Sequence, residues 1–352
     1  MQQTPAPLDT SQKVIRLGAI ALVVAALGGA FAYVNGTLDP QRLTPDKLVD
    51  NLERAGGVHE GFRRNHAKGI CVSGYFESSG QLKALSQAKV FSDPRTPLTG
   101  RFALPGPNPY APDTSVPIRS FAVRFMQSDG QQWRTGMNSM PVFPIGTVEA
   151  FYAQQLASQP DPATGKPNPD SMKQFFASHP ETAAFLAWVK NAKPSASFAS
   201  ETYNSVNAFY LVNAAGQRQA VRWAVVPAPG QAASEVGQGA DVLQPDLAQR
   251  LAAGPLRWEL RVTLAEPNDP VDDASKQWPS ERRTLTAGTL VLDSSQAQSD
   301  GACRDINYDP LVLPEGIQAS ADPLLAARSA AYANSYVRRT GEESHAQQEP
   351  RP

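Results

Sequence analysis

Four histidines (His59, His66, His179, His345) and two cysteines (Cys71, Cys303) are among the side chains in this chain suited to proton transfer, ligation or thiol chemistry. His66 stands apart through its neighbours, Arg63-Arg64-Asn65-His66-Ala67-Lys68-Gly69. A basic run of this kind is in general a solvated turn; with a histidine inside it, it is also a candidate acid–base site. The cysteines form no CxxC pair, which excludes a thiolate zinc site or cluster site. They read either as two buried thiols or, in an oxidising compartment, as a disulfide; the sequence leaves both open. A second candidate pair is Arg328 and Tyr332, four residues apart and so on one face of a helix. The commoner meaning of such a pair is packing with a cation–π contact. The chemical meaning is a tyrosinate ligand to iron. A phenol of ordinary pKa, near ~10, is not ionised at neutral pH, but an adjacent guanidinium and a ferric ion both favour the anion. Tyrosine is one of the known proximal ligands of heme.

These residues need a scaffold, and the composition supplies a globular one. The chain has 352 residues, 41% hydrophobic and 18% charged, within the ordinary range for folded domains. A formal net charge of -1 gives no electrostatic case for nucleic acid. With 31 prolines, long ordered loops are expected between the elements. Leu43, Leu48 and Leu52 recur at helical spacing, with Thr44 as N-cap. Ser120–Met126 alternates apolar and polar residues as a half-buried strand does. Ala208–Val212, Asn213-Ala214-Ala215-Gly216 and Ala220–Val226 read as a hairpin. Leu256–Leu264 and Thr284–Leu292 are further strands. Glu149–Ala157, Ser171–Ser178 and Glu181–Val189 read as helices, and Ser158–Asp170 and Pro227–Gly239 as loops. Pro323–Arg339 is a strong helix with Asp322 as N-cap. The pattern is α+β, with antiparallel strands forming a barrel or sandwich.

The N-terminus carries a different signal. Leu17–Val34 is an uncharged apolar run of spanning length, preceded by Lys13 and Arg16. That charge asymmetry predicts a cytoplasmic N-terminus and an exported remainder. Ala30-Phe31-Ala32 leaves a cleaved signal peptide open, but the run is longer than a usual signal core and reads as a retained anchor.

Five segments, in order, resemble the catalase superfamily, specifically its short catalase-related peroxidase branch. Gly61-Phe62-Arg63-Arg64-Asn65-His66-Ala67-Lys68-Gly69 with Gly74-Tyr75-Phe76-Glu77 looks like the distal-histidine motif. Arg119–Phe125 looks like the strand that follows, and Gly136-Met137-Asn138-Ser139-Met140-Pro141-Val142-Phe143 like the distal-asparagine motif. Asp309-Pro310 with Leu313-Pro314-Glu315-Gly316 resembles the approach to the proximal helix, and Asp322–Tyr332 with Arg338-Arg339 that helix itself. The resemblance spans roughly residues 43–340. It implies a catalase-type antiparallel β-barrel core with surrounding helices and long loops, plus one N-terminal transmembrane helix. The implied division is a cytoplasmic tail at 1–16, an anchor at 17–35, a catalase-like heme domain at 36–340 and a disordered tail at 341–352.

The resemblance also implies roles. His66 matches the distal histidine, Asn138 the distal asparagine, Tyr332 the axial ligand of heme b iron and Arg328 its hydrogen-bonding partner. Arg63, Arg101 and Arg339 match arginines that grip the heme propionates, a role suited to a planar guanidinium fork. Phe143 and Phe151 match aromatics packed at the distal heme. One departure is clear. The family's arginine-phenylalanine-serine stretch is Arg101-Phe102-Ala103 here, and Ala103 cannot hydrogen-bond the distal histidine. The implied function is a peroxidase using hydrogen peroxide or organic hydroperoxides and a small organic reductant. The alternatives are a hydrogen peroxide-dismutating catalase, a hydroperoxide isomerase and a non-catalytic heme-binding module. The implied place is the outer face of a bacterial inner membrane, or the periplasm after signal cleavage. Without the C-terminal region of full-length catalases after the proximal helix, their wrapped tetramer is not expected.

Overall fold

The computed structural model describes residues 9–35, 37, 39, 42–161, 163–231 and 239–348, with side chains to Glu342. The chain divides into two units after Lys47. The first holds α1 (Thr10–Val34), whose 25 residues include no buried side chain and are long and apolar enough to cross a membrane. The helix starts at Thr10 rather than near Leu17, so part of the expected polar tail is helical. Asp9 leads it, and Lys13 N–H donates to the Asp9 carbonyl at 3.0 Å. Each residue added to an existing helix gains a hydrogen bond, so the apolar run carries this polar turn with it.

α2 (Pro45–Gly56) leads into the second unit and buries Leu48 and Val49. The Thr44 hydroxyl accepts from Lys47 N–H at 3.4 Å, as its capping role predicts. Ten strands follow: β1 (Gly69–Ser78), β2 (Arg95–Ala103), β3 (Ser120–Met126), β4 (Gln132–Asn138), β5 (Tyr203–Asn204), β6 (Phe209–Val212), β7 (Arg218–Pro227), β8 (Leu256–Leu264), β9 (Thr284–Ala297) and β10 (Ile317–Ala319). Eight of them run in the order β7-β5-β4-β3-β2-β1-β9-β8, and pairing of β8 with β7 closes an antiparallel barrel; β6 and β10 extend from β7. Closure satisfies the ladder on every barrel strand and removes sheet edges.

Side chains fill the barrel, as an eight-stranded barrel requires. Phe102 stacks on Phe121 at 4.3 Å and on Phe198 at 4.9 Å, and Phe125 stacks on Trp133 at 4.7 Å. Strict alternation in β3 and β4 turns their other residues outward. At the β1–β9 irregularity, Gly74 lies so close to β9 that a Cβ there would meet the Val291 carbonyl oxygen at 1.9 Å.

α3 (Val148–Ala157), α4 (Pro169–Ser178), α5 (Ala183–Val189) and α6 (Leu243–Ala253) lie between strands in the chain, and α7 (Pro323–Gln348) follows β10. α7 begins where Asp322 Oδ1 accepts from Leu324 N–H at 2.9 Å. It does not end near Arg339. The segment expected as a disordered tail continues as helix through Gln348, and the rest of that tail lies outside the described residues. A polar tail reads as disordered when its partners are distant in sequence. Here Glu342 bonds to Arg64 and accepts from Gly61 N–H at 3.0 Å. Cys71 and Cys303 form a disulfide with Cα atoms 5.3 Å apart, which resolves the alternative the sequence left open.

Candidate active site

Strand register builds one wall of the site. Gly69 pairs with Ala103, Ala103 with Ser120, and Ser120 with Asn138, so one rung crosses the ends of β1 to β4. Two residues along, Cys71, Arg101, Ala122 and Gly136 make the next rung. Side chains two apart on a strand share a face. Ala103, Ala122 and Gly136 therefore form a flat floor of small residues, flanked by Arg101, Ser120 and Asn138, along an open cavity. A Cβ on Gly136 would stand 3.1 Å from the Arg328 guanidinium.

α7 supplies another wall. Ala327, Arg328, Ala331, Tyr332, Ser335 and Arg339 all line the cavity, at the three- and four-residue spacing of one helix face. Leu48, Val49 and Leu52 add an apolar face of α2. Phe143 and Phe151, 6.2 Å apart and tilted, complete the lining. All nine residues singled out in the sequence border this one cavity. The other histidines have local partners: His59 Nε2 faces the Gly56 carbonyl at 3.0 Å, and His179 Nδ1 the Phe175 carbonyl at 2.9 Å. The side chain of His345 lies outside the described residues.

His66 sits just before β1 with φ +54°, a left-handed conformation that costs a residue with a Cβ about 1–2 kcal/mol. The loop offsets that cost. Asn65 Oδ1 accepts from His66 N–H at 2.9 Å and Gly106 N–H at 2.8 Å, and Arg101 donates to the His66 carbonyl at 2.8 Å. The backbone is fixed, whereas Nδ1 of the ring is enclosed with no hydrogen-bond partner among the described residues. Burial, then the cations of Arg101, Arg328 and Arg63, push its pKa down to about 3. The imidazole is therefore neutral and able to accept a proton across the physiological range. Ser120 Oγ donates to Asn138 Oδ1 at 2.6 Å, which fixes that amide and leaves its N–H donors for the cavity.

Tyr332 accepts from Arg328 at 3.5 Å, with the guanidinium carbon 5.8 Å from the ring centroid. Arg328 also donates to Asn207 Oδ1 at 2.5 Å, and Asn207 donates to Asp322 at 2.8 Å. Asp322, whose carboxyl burial pushes above the usual range, thus both caps α7 and ends a chain of bonds to Tyr332. Neither Asn207 nor Ser120 was legible as a site residue. Each acts on a neighbour distant in sequence: Ser120 on Asn138 of the next strand, and Asn207 on Arg328 of α7.

The third feature is cationic. Arg101 and Arg339 are buried, and Arg63 is half-buried. Burial, then Arg339, pulls the Arg63 pKa down to about 10; burial, then Arg63, pulls Arg101 well below its usual value. A guanidinium does not give up its proton in a protein, so these shifts express the cost of gathering cations that carboxylates would neutralise. Among the described residues, no group of three His, Cys, Asp or Glu side chains could hold a metal. A flat floor, an apolar and aromatic lining, a basic cluster and a tyrosine beside an arginine suit a planar macrocycle with carboxylate arms.

Together they define a closed-barrel protein with a cavity between the barrel wall and a long helix, lined as a planar prosthetic group would require. The catalase family profile matches residues 47–348, and the chain belongs to the catalase family. It is 37% identical to a catalase-related peroxidase of Synechococcus elongatus over 92% of this chain and 95% of that one. It is 30% identical to a catalase-related peroxidase of Mycolicibacterium paratuberculosis over 88% and 98%. Against solved structures, a fungal catalase superposes with a TM-score of 0.72 at 21% identity, over 80% of this chain and 60% of that one. A bacterial catalase superposes at 0.70 and 21%, over 80% and 58%. The chain thus spans about three-fifths of those solved catalases but nearly the whole of the two catalase-related peroxidases.

Proposed function

We propose that this protein is a heme b peroxidase that reduces hydrogen peroxide or organic hydroperoxides at the expense of a small organic donor. The observation that carries the reading is a neutral histidine, a fixed amide donor and a tyrosine–arginine pair lining one cavity beside three clustered arginines. The two relatives matched almost end to end, both catalase-related peroxidases, support the same chemistry. Tyr332 would hold the iron, and Arg63, Arg101 and Arg339 the propionates.

Heme supplies the redox chemistry when bound; the chain orients and protonates. His66 takes the proton from the near oxygen of the hydroperoxide and returns it to the departing oxygen, acting as base and then as acid. Asn138 donates to the peroxide and favours charge separation as the bond breaks. Arg328 donates to the Tyr332 oxygen and stabilises its anionic form. Phe143 and Phe151 keep bulk water from the reacting oxygens. The unpartnered Nδ1 favours a peroxidase over an efficient catalase, because no hydrogen bond from the described residues to Nδ1 orients the His66 ring for a second peroxide. The test compares donor oxidation with oxygen evolution at equal peroxide. Donor-dependent consumption supports the reading; oxygen release at catalase-like rates without a donor overturns it, and rearrangement of a lipid hydroperoxide without reduction indicates an isomerase.

The same reading places the domain outside the cytoplasm, held by α1. Its support is a helix of spanning length with Lys13 and Arg16 before its apolar run. A buried disulfide also suits an oxidising compartment. Protease accessibility in spheroplasts and the N-terminal sequence of the mature chain test it.

A further inference from the structure

The Cys71–Cys303 disulfide stands behind the arginine cluster. The segment from 298 to 306, in the connection between β9 and β10, touches all three arginines. Gln298 Oε1 accepts from Arg101 at 2.5 and 3.2 Å. The carbonyls of Cys303, Arg304 and Ile306 accept from Arg63 at 3.0, 3.0 and 2.9 Å. Asp305 stands 3.6 Å from Arg339. The segment contains no strand or helix, and its internal backbone bonds close local turns: Gly301 N–H to Ala297, Arg304 N–H to Gly301, Ile306 N–H to Cys303. What ties its middle to the barrel covalently is Cys303, bonded to Cys71 across a sequence separation of 232. Cys71 is the β1 residue paired with Arg101 itself.

We infer that the Cys71–Cys303 disulfide is the brace of the carboxylate-binding cluster, so that retention of the cofactor depends on the oxidised state of this pair. The inference rests on the proposed role of the cavity. The physical reason is the cost of the cluster. Arg63, Arg101 and Arg339 repel one another, and five acceptors on one turn segment hold them in place. Released from β1, that segment gains conformational freedom, and the cations spread. Carboxylate arms then meet guanidiniums that must first be reordered, which lowers affinity and speeds release. Both cysteines are buried, so the bond is protected in the folded protein from small thiols in solution.

The test is heme transfer from the full chain in detergent to excess apomyoglobin. The protein is compared with Cys71→Ala/Cys303→Ala and with the same protein after phosphine reduction and thiol counting. The expected result is release at least tenfold faster from the double variant. Reduction should move the unmodified protein to the same rate and leave the double variant unchanged. In an Arg63→Ala background the cysteine change should add much less than it does alone, because the brace acts through that side chain; a general loosening would add in full. Equal release from oxidised, reduced and cysteine-free heme-loaded chains would overturn the brace alone. If the double variant does not fold, the reduced protein decides by itself. A folded, unmodified chain that takes up no heme overturns the cofactor reading, and this inference with it.

Discussion

In the proposed mechanism His66 acts as a base, and burial with its neighbouring arginines keeps the imidazole uncharged. With its pKa lowered to about 3, the acid limb of kcat/KM should fall well below the ordinary imidazole range, leaving no inflection between pH 5 and 8. Stability follows from the same shift. The unfolded chain binds a proton near ~6.5 and the folded one does not. This contribution is therefore full above pH ~6.5 and is lost as pH falls through the window down to about 3. A His66→Ala variant should retain heme and lose about 10²–10⁴-fold in peroxide consumption; an unchanged rate would remove the histidine from the mechanism. Ala103 gives the converse prediction. A hydroxyl at that position offers Nδ1 a partner, so Ala103→Ser should raise oxygen evolution severalfold relative to donor oxidation, measured with an oxygen electrode. The nine candidate residues were legible because each sits in a short local pattern, and the positive φ of His66 was not. A histidine is not a type that announces left-handed backbone, and the bonds that stabilise it come from Asn65 and Arg101.

Elements bring these residues together, and α7 carries the greatest share. Its cavity face is plain in the sequence because Arg328 and Tyr332 stand four apart in an alanine-rich run. Its anchor is not, since Asn207 comes from the β5–β6 connection, 121 residues before Arg328, and bonds both Arg328 and Asp322. Asn207→Ala leaves buried Asp322 and half-buried Arg328 each short of a partner and should cost roughly 1–3 kcal/mol, read by denaturant unfolding. It should also shift the heme spectrum through Arg328. The same logic applies at the other end of the helix. Glu342→Ala removes a partner of buried Arg64 and of Gly61 N–H, loosening the loop that carries His66, at roughly 1–3 kcal/mol. An unaltered unfolding midpoint would make the C-terminal turns of α7 dispensable. α6 shows the limit of local reading most clearly. Its first turn contains Pro245, and its N-terminal N–H groups are capped by Asp113, about 130 residues away in sequence. β3, β8 and the β6–β7 hairpin were readable from alternation and the Asn213–Gly216 turn. β1, β2 and β4 are broken up by glycine, proline and charged residues, because their outward faces line the cavity or bond to loops rather than pack a core.

At the scale of the whole molecule, the outer rungs of the barrel form the floor of the cavity, and residues of α2, α7 and the loops line the rest of it. The chain splits into two compact units, the first holding α1 and the second the barrel. With α1 as a membrane anchor, the full chain should sediment with membranes and resist carbonate extraction, and removal of residues 1–42 should release an active soluble protein. Release of the full chain by carbonate would make α1 a cleaved leader or a loosely bound segment. The central claim is tyrosinate-ligated heme in the cavity, and the most direct measurement is the absorption spectrum of the heme-reconstituted full chain beside Tyr332→Phe. The account predicts a Soret band with high-spin ferric features in the unmodified protein and a shifted or lost band in the variant. Identical spectra would remove Tyr332 from the iron, and a well-folded protein that takes up no heme would contradict the reading of the cavity itself.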